Sequence, residues 1–303
     1  MTGIEPRDPG PHMIGRDRRQ TIFDRTIAPV AGVCSGAIIS FETDDSAYAR
    51  LASGVSLNQI GVENLNAVTG PVAVRDAEPG DVLRIEILEI TIARAWAAWL
   101  PGFGTLGGRT SAIQVKPLRI DQDGIHLSSR CRVPLDPMIG CIGLAPAQGQ
   151  ASTLKPTYPF GGNMDLRELS AGATLWLPVQ TPRAMLSLGD LHAAMGEGEP
   201  AHVSLEAAGT ATVRVHVEKG RALSSPRLRV GSDTIVVGMD ERTRANGGIA
   251  AAYQRAIDHA FDYLTVECGM EPFTAYAFIS ARVSTRFGGP AGSLVLAVIP
   301  DPS

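Results

Sequence analysis

The sequence predicts a mainly β protein: a β-sandwich or barrel-like body followed by a smaller α+β C-terminal subdomain. Between Ile22 and about Val237 the apolar residues recur mostly at every second position, the period of half-buried strands. Those runs are short and broken by many of the chain's 33 glycines and 21 prolines, which fits strands joined by turns better than βαβ units. After Gly238 the spacing changes to a helical one. The expected organisation is a flexible N-terminal arm over 1–20, a mainly β body over 21–237 and an α+β subdomain over 238–303.

Taken in order, the first twenty residues are polar, basic and rich in Pro and Gly, with no apolar run to order them. Gly36 to Phe41 reads as a short strand running into the acidic stretch Glu42-Thr43-Asp44-Asp45. Pro71–Val74, the turn Glu78-Pro79-Gly80-Asp81, and Asp81–Ile90 read as strand, turn, strand. Gly172–Val179 and Ala184–Leu188 form another pair around Thr181-Pro182-Arg183, and Val203–Val217 alternates again. Ile249, Tyr253, Ile257, Phe261 and Leu264 predict an amphipathic helix over Thr243–Val266 with that stripe facing the core. Gly269 stops it, Pro272 opens a second helix over Phe273–Arg282, and Leu294–Ile299 is a last strand.

Composition excludes several classes. The 303 residues carry 27 basic and 31 acidic side chains, net −4, so no electrostatic footprint for nucleic acid is present. Only three residues are lysines (Lys116, Lys155, Lys219), and no polybasic tract suits an anionic membrane surface. No apolar run of about 18 residues predicts a membrane span, and no apolar h-region predicts a secretory signal. Cys34, Cys131, Cys141 and Cys268 are widely spaced and read as free thiols, so a cytoplasmic location is expected.

The chemistry concentrates in Leu186–Glu199, where a strand is expected to end in a glycine-rich loop carrying Asp190, His192, Glu197 and Glu199. Residues two apart on an extended backbone point the same way, so Asp190 and His192 share a face. Imidazole with carboxylates suits a divalent ion, zinc first, with calcium or manganese as alternatives. An isolated Asp-x-His is a weak signal and more often describes a loop whose His caps a turn and whose carboxylates are solvated. Phe160-Gly161-Gly162-Asn163-Met164-Asp165 allows either a tight turn or a close backbone approach to a ligand. GxSxG, GxxxxGK[ST] and HExxH patterns are absent.

Five ordered motifs are similar to the acetamidase/formamidase family: Asn66-Ala-Val-Thr-Gly-Pro71 with Ala77–Leu83, Ile139–Pro146, Gly161–Asp165, Gly189–Ala193 with its trailing Gly-Glu-Gly-Glu199, and Val236–Asp240. The resemblance runs from about Pro29 to Pro300. It implies a mostly β fold, a homo-oligomer (dimer or tetramer), and hydrolysis of short aliphatic amides to carboxylate and ammonia at a metal-assisted site. Transferred residue by residue, it makes His192, Asp190 and Asp45 the metal ligands and Glu199, Glu197 and Asp165 the catalytic carboxylates. Asn163, Gly161 and Gly162 then bind the substrate carbonyl. Met195 stands where the family has Gln and is expected to shape the acyl pocket; Glu197 stands for Asp, Ala67 for Pro, and Ser280–Ser284 for a Ser-Leu-Ala-Ala-Asp run. Those departures also admit a catalytically silent amide-binding protein, or a hydrolase of a larger or aromatic amide.

Overall fold

The computed structural model describes residues 12–157, 159–239, 248–290 and 293–302. The chain opens with short strands: β1 (His12–Ile14), β2 (Arg19–Gln20), β3 (Ile22–Asp24), β4 (Ala31–Val33) and β5 (Ile38–Glu42). Helices α1 (Ser46–Ala52) and α2 (Leu57–Ile60) lead to β6 (Val68–Val74) and the long β7 (Val82–Trp99). Then come β8 (Gln114–Asp121), β9 (Gly124–His126), β10 (Arg132–Val133), β11 (Met138–Gly143), β12 (Gln150–Ser152), β13 (Gly161–Asn163) and β14 (Thr174–Pro178). β15 (Leu186–Ala194), β16 (Leu205–Glu218), β17 (Arg227–Val230) and β18 (Asp233–Met239) complete the body. Helices α3 (Ile249–Asp262) and α4 (Pro272–Arg282), then β19 (Ser284–Phe287) and β20 (Leu294–Ile299), finish the chain.

The two longest strands are the spine. β7 and β16 pair antiparallel along their whole overlap, from Leu205 opposite Ala97 to Glu218 opposite Val82, with two register shifts that bend the ribbon. β16 continues the sheet through β15 at its start and β5 at its end. β15 is flanked by β6 and β11 as well, and β11 by β13. On the other side, β7 pairs with β14, which leads through β17, β18 and β20 to β19. The strands share one hydrophobic core that includes Phe41, Ile85, Ile139, Leu175, Leu188, Val213 and Val237. The mainly β body with a small helical C-terminal part is therefore the observed architecture.

Several expectations change in detail. Residues 1–11 of the expected arm lie outside the described residues, but His12–Ile14 pair in parallel with Ile39–Phe41, so the arm from residue 12 onward is sheet. The strand expected to end near Ile90 runs on to Trp99 because β16 and β8 supply it with partners. The boundary placed after Val237 falls inside β18, which pairs with β20 across it. Residues 243–247 of the expected helix lie outside the described residues; α3 starts at Ile249 and ends in a π-helical turn over Tyr263–Glu267.

The buried stripe of α3 also differs from the expected one. Ala252, Ala256, Ala260 and Leu264 face the core, whereas Ile249 and Tyr253 are about half exposed. Close approach explains this: a Cβ on Gly238 of β18 would lie 2.2 Å from the Ala252 carbonyl oxygen and 2.4 Å from the Ala256 nitrogen. A helix lying that close to a sheet accepts only small side chains at the seam. α4 begins as expected, with Pro272 in its first turn and the Glu271 carboxylate accepting from the amides of Phe273 and Thr274.

Candidate active site

β15 brings the central residues into the core. Asp190 and His192 lie inside this strand, not in a loop after it, and both are buried. The strand stays paired there because β11 and β16 flank it: Met138 and Glu206 both lie opposite His192. Asp190 has φ +56°, a left-handed conformation that a non-glycine residue adopts only when its surroundings enforce it. Asp165 (φ +46°), Glu199 (φ +44°) and His202 (φ +70°) are also left-handed. Left-handed residues also occur away from the site, at Asp76 and in the turn Arg183–Met185.

Those side chains form one buried cluster. His192 Nε2 is 3.7 Å from Asp190 Oδ1 and 3.7 Å from Glu206 Oε2, too far for hydrogen bonds. Asp165, Asp190 and His192 make one group of ligand atoms within 4.8 Å of one another; His192, Glu199 and Glu206 make a second. Each of three carboxylates is held by one oxygen. Asn66 Nδ2 donates to Asp190 Oδ2 at 2.8 Å, the Ser204 hydroxyl donates to Glu199 Oε1 at 3.0 Å, and the Ser204 amide donates to Glu206 Oε1 at 3.0 Å. Asp165 Oδ1, Asp190 Oδ1 and His192 Nδ1 are buried with no hydrogen-bond partner among the described residues. Glycine at 140 makes the crowding feasible, since a Cβ there would lie 2.7 Å from both Asp165 Oδ1 and Asp190 Oδ2.

The electrostatics are those of too much negative charge in a dry place. Burial pushes the Asp165 carboxyl well above the usual carboxylate range, and the charges of Glu199 and Asp190 add to it. Burial raises Glu199 and takes Glu206 up to about 8. For His192, burial favours the neutral ring, but the surrounding carboxylates, Glu206 first, outweigh it and raise the pKa well above the usual value. Burial, reinforced by Glu206 and Asp190, keeps the Tyr48 phenol protonated far beyond neutrality. Buried carboxylates without compensating charge are costly, and a bound cation relieves that cost. Imidazole plus carboxylate oxygens is a donor set that divalent zinc or manganese accepts, so these residues fit such an ion.

The cluster forms the polar end of a cavity of about 150 Å³, whose lining includes Tyr48, Asn66, Asn163, Asp165, His192, Glu199 and Glu206. Drug-sized sites span roughly 300–1,000 Å³, so this one suits a much smaller molecule. The structure thus brings together Asp165, Asp190, His192, Glu199 and Asn163 of the expected set. Asp45 is placed elsewhere: it stands at the first position before α1 without a capping hydrogen bond from its side chain, and its two carboxylate oxygens accept from Arg94 and from Trp96 Nε1. Glu197 is exposed and does not line the cavity. Met195 is buried but faces elsewhere than the lining. Gly161 and Gly162 serve the backbone, because a Cβ on either would strike Ile142 O or the Thr157 amide; neither lines the cavity.

Sequence reasoning passed over Glu206, Ser204 and Tyr48, and gave no role to Asn66. Glu206 had one local signal, a charge among Leu205, Ala207 and Ala208 in a strand that is otherwise small and apolar there. Tyr48 had none, as its place depends on how α1 packs against α2, β8 and Trp96 of β7.

The sequence profile of the acetamidase/formamidase family matches residues 16–149 and 144–293. A putative formamidase from Schizosaccharomyces pombe is 26% identical, over an alignment spanning 59% of this chain and 59% of that relative's length. The crystal structure of an acetamidase from Bacillus halodurans superposes with a TM-score of 0.85 at 30% identity, covering 95% of this chain and 97% of that one. That of a predicted acetamidase/formamidase from Thermoanaerobacter tengcongensis gives 0.88 at 26% identity, with 96% of each chain covered.

Proposed function

The chain belongs to the acetamidase/formamidase family, and from that premise we propose that it hydrolyses short-chain linear amides to carboxylate and ammonia. The observation that carries the reading is the buried set Asp165, Asp190, His192, Glu199 and Glu206 at a small cavity, with Asp165 Oδ1, Asp190 Oδ1 and His192 Nδ1 left without a hydrogen-bond partner among the described residues. His192, Asp190 and Asp165, whose ligand atoms lie within 4.8 Å of one another, would hold a divalent ion, zinc in the first instance, Asp165 taking the part expected of Asp45. Such an ion supplies Lewis acidity to an amide carbonyl and to water.

The chain's own groups do the rest. Asn163 Oδ1 accepts from Asn66 Nδ2 at 3.3 Å, so the Asn163 amide keeps its two N–H donors for a substrate carbonyl oxygen in the cavity it lines. Glu199, one oxygen fixed by Ser204, offers the other to a water attacking the carbonyl carbon. It takes that water's proton and passes it to the departing nitrogen, so that the C–N bond breaks with ammonia leaving and not an amide anion. Burial raises its pKa above the usual carboxylate value, which makes it a stronger proton acceptor than an exposed Glu. Glu206, buried and grouped with Glu199 about His192, shares this proton pool. The cavity's size favours a small amide over an aromatic one. A homo-oligomer, dimer or tetramer, is supported by the exposed apolar side chains Val266, Phe273 and Tyr276 around α4.

The test is ammonia release from acetamide and propionamide by the wild-type protein, His192→Ala and Glu199→Gln. Turnover that falls by about 100-fold or more in each folded variant is expected, the usual weight of an acid–base group. Wild-type rates in both variants would contradict the assignment.

A further inference from the structure

The cavity has a second half that the hydrolytic chemistry leaves unused. Besides the carboxylates its lining includes Leu65, Leu100, Phe103, Leu154 and Val203, together with the partly exposed Val62. This wall is the face of a small separate hydrophobic cluster in which Tyr48, Leu51, Ile60, Leu65, Trp96 and Leu100 are buried, with Phe103 and Val203 packed against it. An apolar wall facing a polar reaction centre across so short a space has no partner for water or for a substrate's hydrogen-bonding groups. We propose that this half is an acyl-chain pocket that makes linear amides of three or four carbons the preferred substrates and formamide a poor one, with Phe103 as the specificity-determining residue. The inference rests on the amide-hydrolysis reading and refines it.

Volume sets the chain length. A cavity of about 150 Å³ takes a ligand of about benzene size, on the order of six non-hydrogen atoms; with one place kept for the attacking water, about five remain: the three of an amide group and two acyl carbons beyond it. That is propionamide, with a fourth carbon reaching toward Val62. Formamide has no acyl carbon to set against the wall.

Phe103 is a fixed wall because its loop is pinned. The segment 100–107, between β7 and β8, is closed on itself by the Gly102 amide donating to the Gly107 carbonyl and the Gly107 amide donating to the Gly104 carbonyl. It then clasps the segment 195–204 that carries Glu199: the Thr105 hydroxyl donates to the Pro200 carbonyl at 3.0 Å. The Phe103 ring sits 6.4 Å from the His202 ring in a tilted arrangement. Gly104 permits this contact, since a Cβ there would lie 2.3 Å from His202 Cβ. The wall that meets the acyl chain and the turn that carries Glu199 are therefore one assembly. Met195, the residue whose departure from the family pattern suggested an altered acyl pocket, is not part of it.

The experiment is kcat/KM for ammonia release from formamide, acetamide, propionamide, butyramide and hexanamide by wild type, Phe103→Ala and Leu154→Phe. The same amides are titrated in parallel, with binding read by thermal shift and ligand-observed NMR. Wild type should gain about fourfold for each methylene added from acetamide to butyramide, the value of burying one methylene, and lose activity at hexanamide. Phe103→Ala should move the optimum to hexanamide, and Leu154→Phe should move it to acetamide. Formamide as the best wild-type substrate, or an unchanged order in both variants, would overturn the proposal while leaving amide hydrolysis intact. Absence of ammonia from every amide would instead remove the hydrolysis reading. The pocket would then be decided by the titrations: butyramide tighter than formamide supports it, and equal or absent binding overturns it.

Discussion

Asn66 shows how single residues tune the cluster. Its Nδ2 group holds one oxygen of Asp190 and leaves the other, Oδ1, buried, unpartnered and 3.7 Å from His192 Nε2. Groups that orient ligands in this way are worth about 10–100-fold in metal affinity or activity. Asn66→Ala is expected to lose that much in zinc affinity, read by competition with a chelating dye, with the fold retained. An unchanged affinity would show that Asp190 needs no such support. Gly140 acts by absence of a side chain. A methyl group there meets carboxylate oxygens of Asp165 and Asp190 at 2.7 Å, and a displacement of about 1 Å at a reacting centre costs about 100-fold. Gly140→Ala should therefore abolish most amide turnover, and wild-type kinetics in that variant would refute the crowding argument.

At the scale of elements, what was legible in the sequence follows periodicity, and what was not follows contacts between distant strands. The alternation over Val203–Val217 and the Pro272 start of α4 both became elements close to their expected ends. That Asp190 and His192 lie together was legible because a two-residue spacing on a strand is local information. Glu206 was not, because it joins them only through the pairing of β15 with β16. Asp45 and Glu197 were misplaced for the converse reason: local motif position cannot show that Arg94 and Trp96 occupy one carboxylate or that the other points outward.

Helix α3 gives the same lesson a measurable form. Of its expected stripe, Leu264 is buried and Ile257 and Phe261 pack against the core, but the seam at Gly238 places alanines inward where Ile249 and Tyr253 were expected. Gly238→Ala should destabilise the protein by about 1–3 kcal/mol through overpacking against the backbone of α3. Tyr253→Ala, on the half-exposed side, should cost about 0.5 kcal/mol or less. Denaturant midpoints decide it, and the reverse order would restore the Ile249–Tyr253 stripe as the core face.

Across the whole molecule, the carboxylate cluster links stability to pH and to cations. Asp165, Glu199, Glu206 and His192 all have folded pKa values above their ordinary ones, so the folded protein holds protons that the unfolded chain releases. Their contribution is complete below the ordinary carboxylate range and is lost as pH rises, for Glu206 through about 8. In the presence of chelator the unfolding temperature should fall as pH is raised from about 5 to about 9, and a divalent ion, replacing the protons, should restore it at the alkaline end. A profile flat across that range in chelator would mean that the cluster is not proton-rich. Among the described residues no helix is long and apolar enough to cross a membrane.

The most direct test of the account is ammonia release from propionamide before chelation, after it, and after return of zinc in equimolar amount, with bound metal measured at each stage. The account predicts that turnover disappears with the chelator and returns in proportion to the zinc bound, and that His192→Ala neither binds the ion nor recovers. Turnover that survives complete removal of metal from folded protein would contradict it, and would leave the buried carboxylates to be explained without a cation.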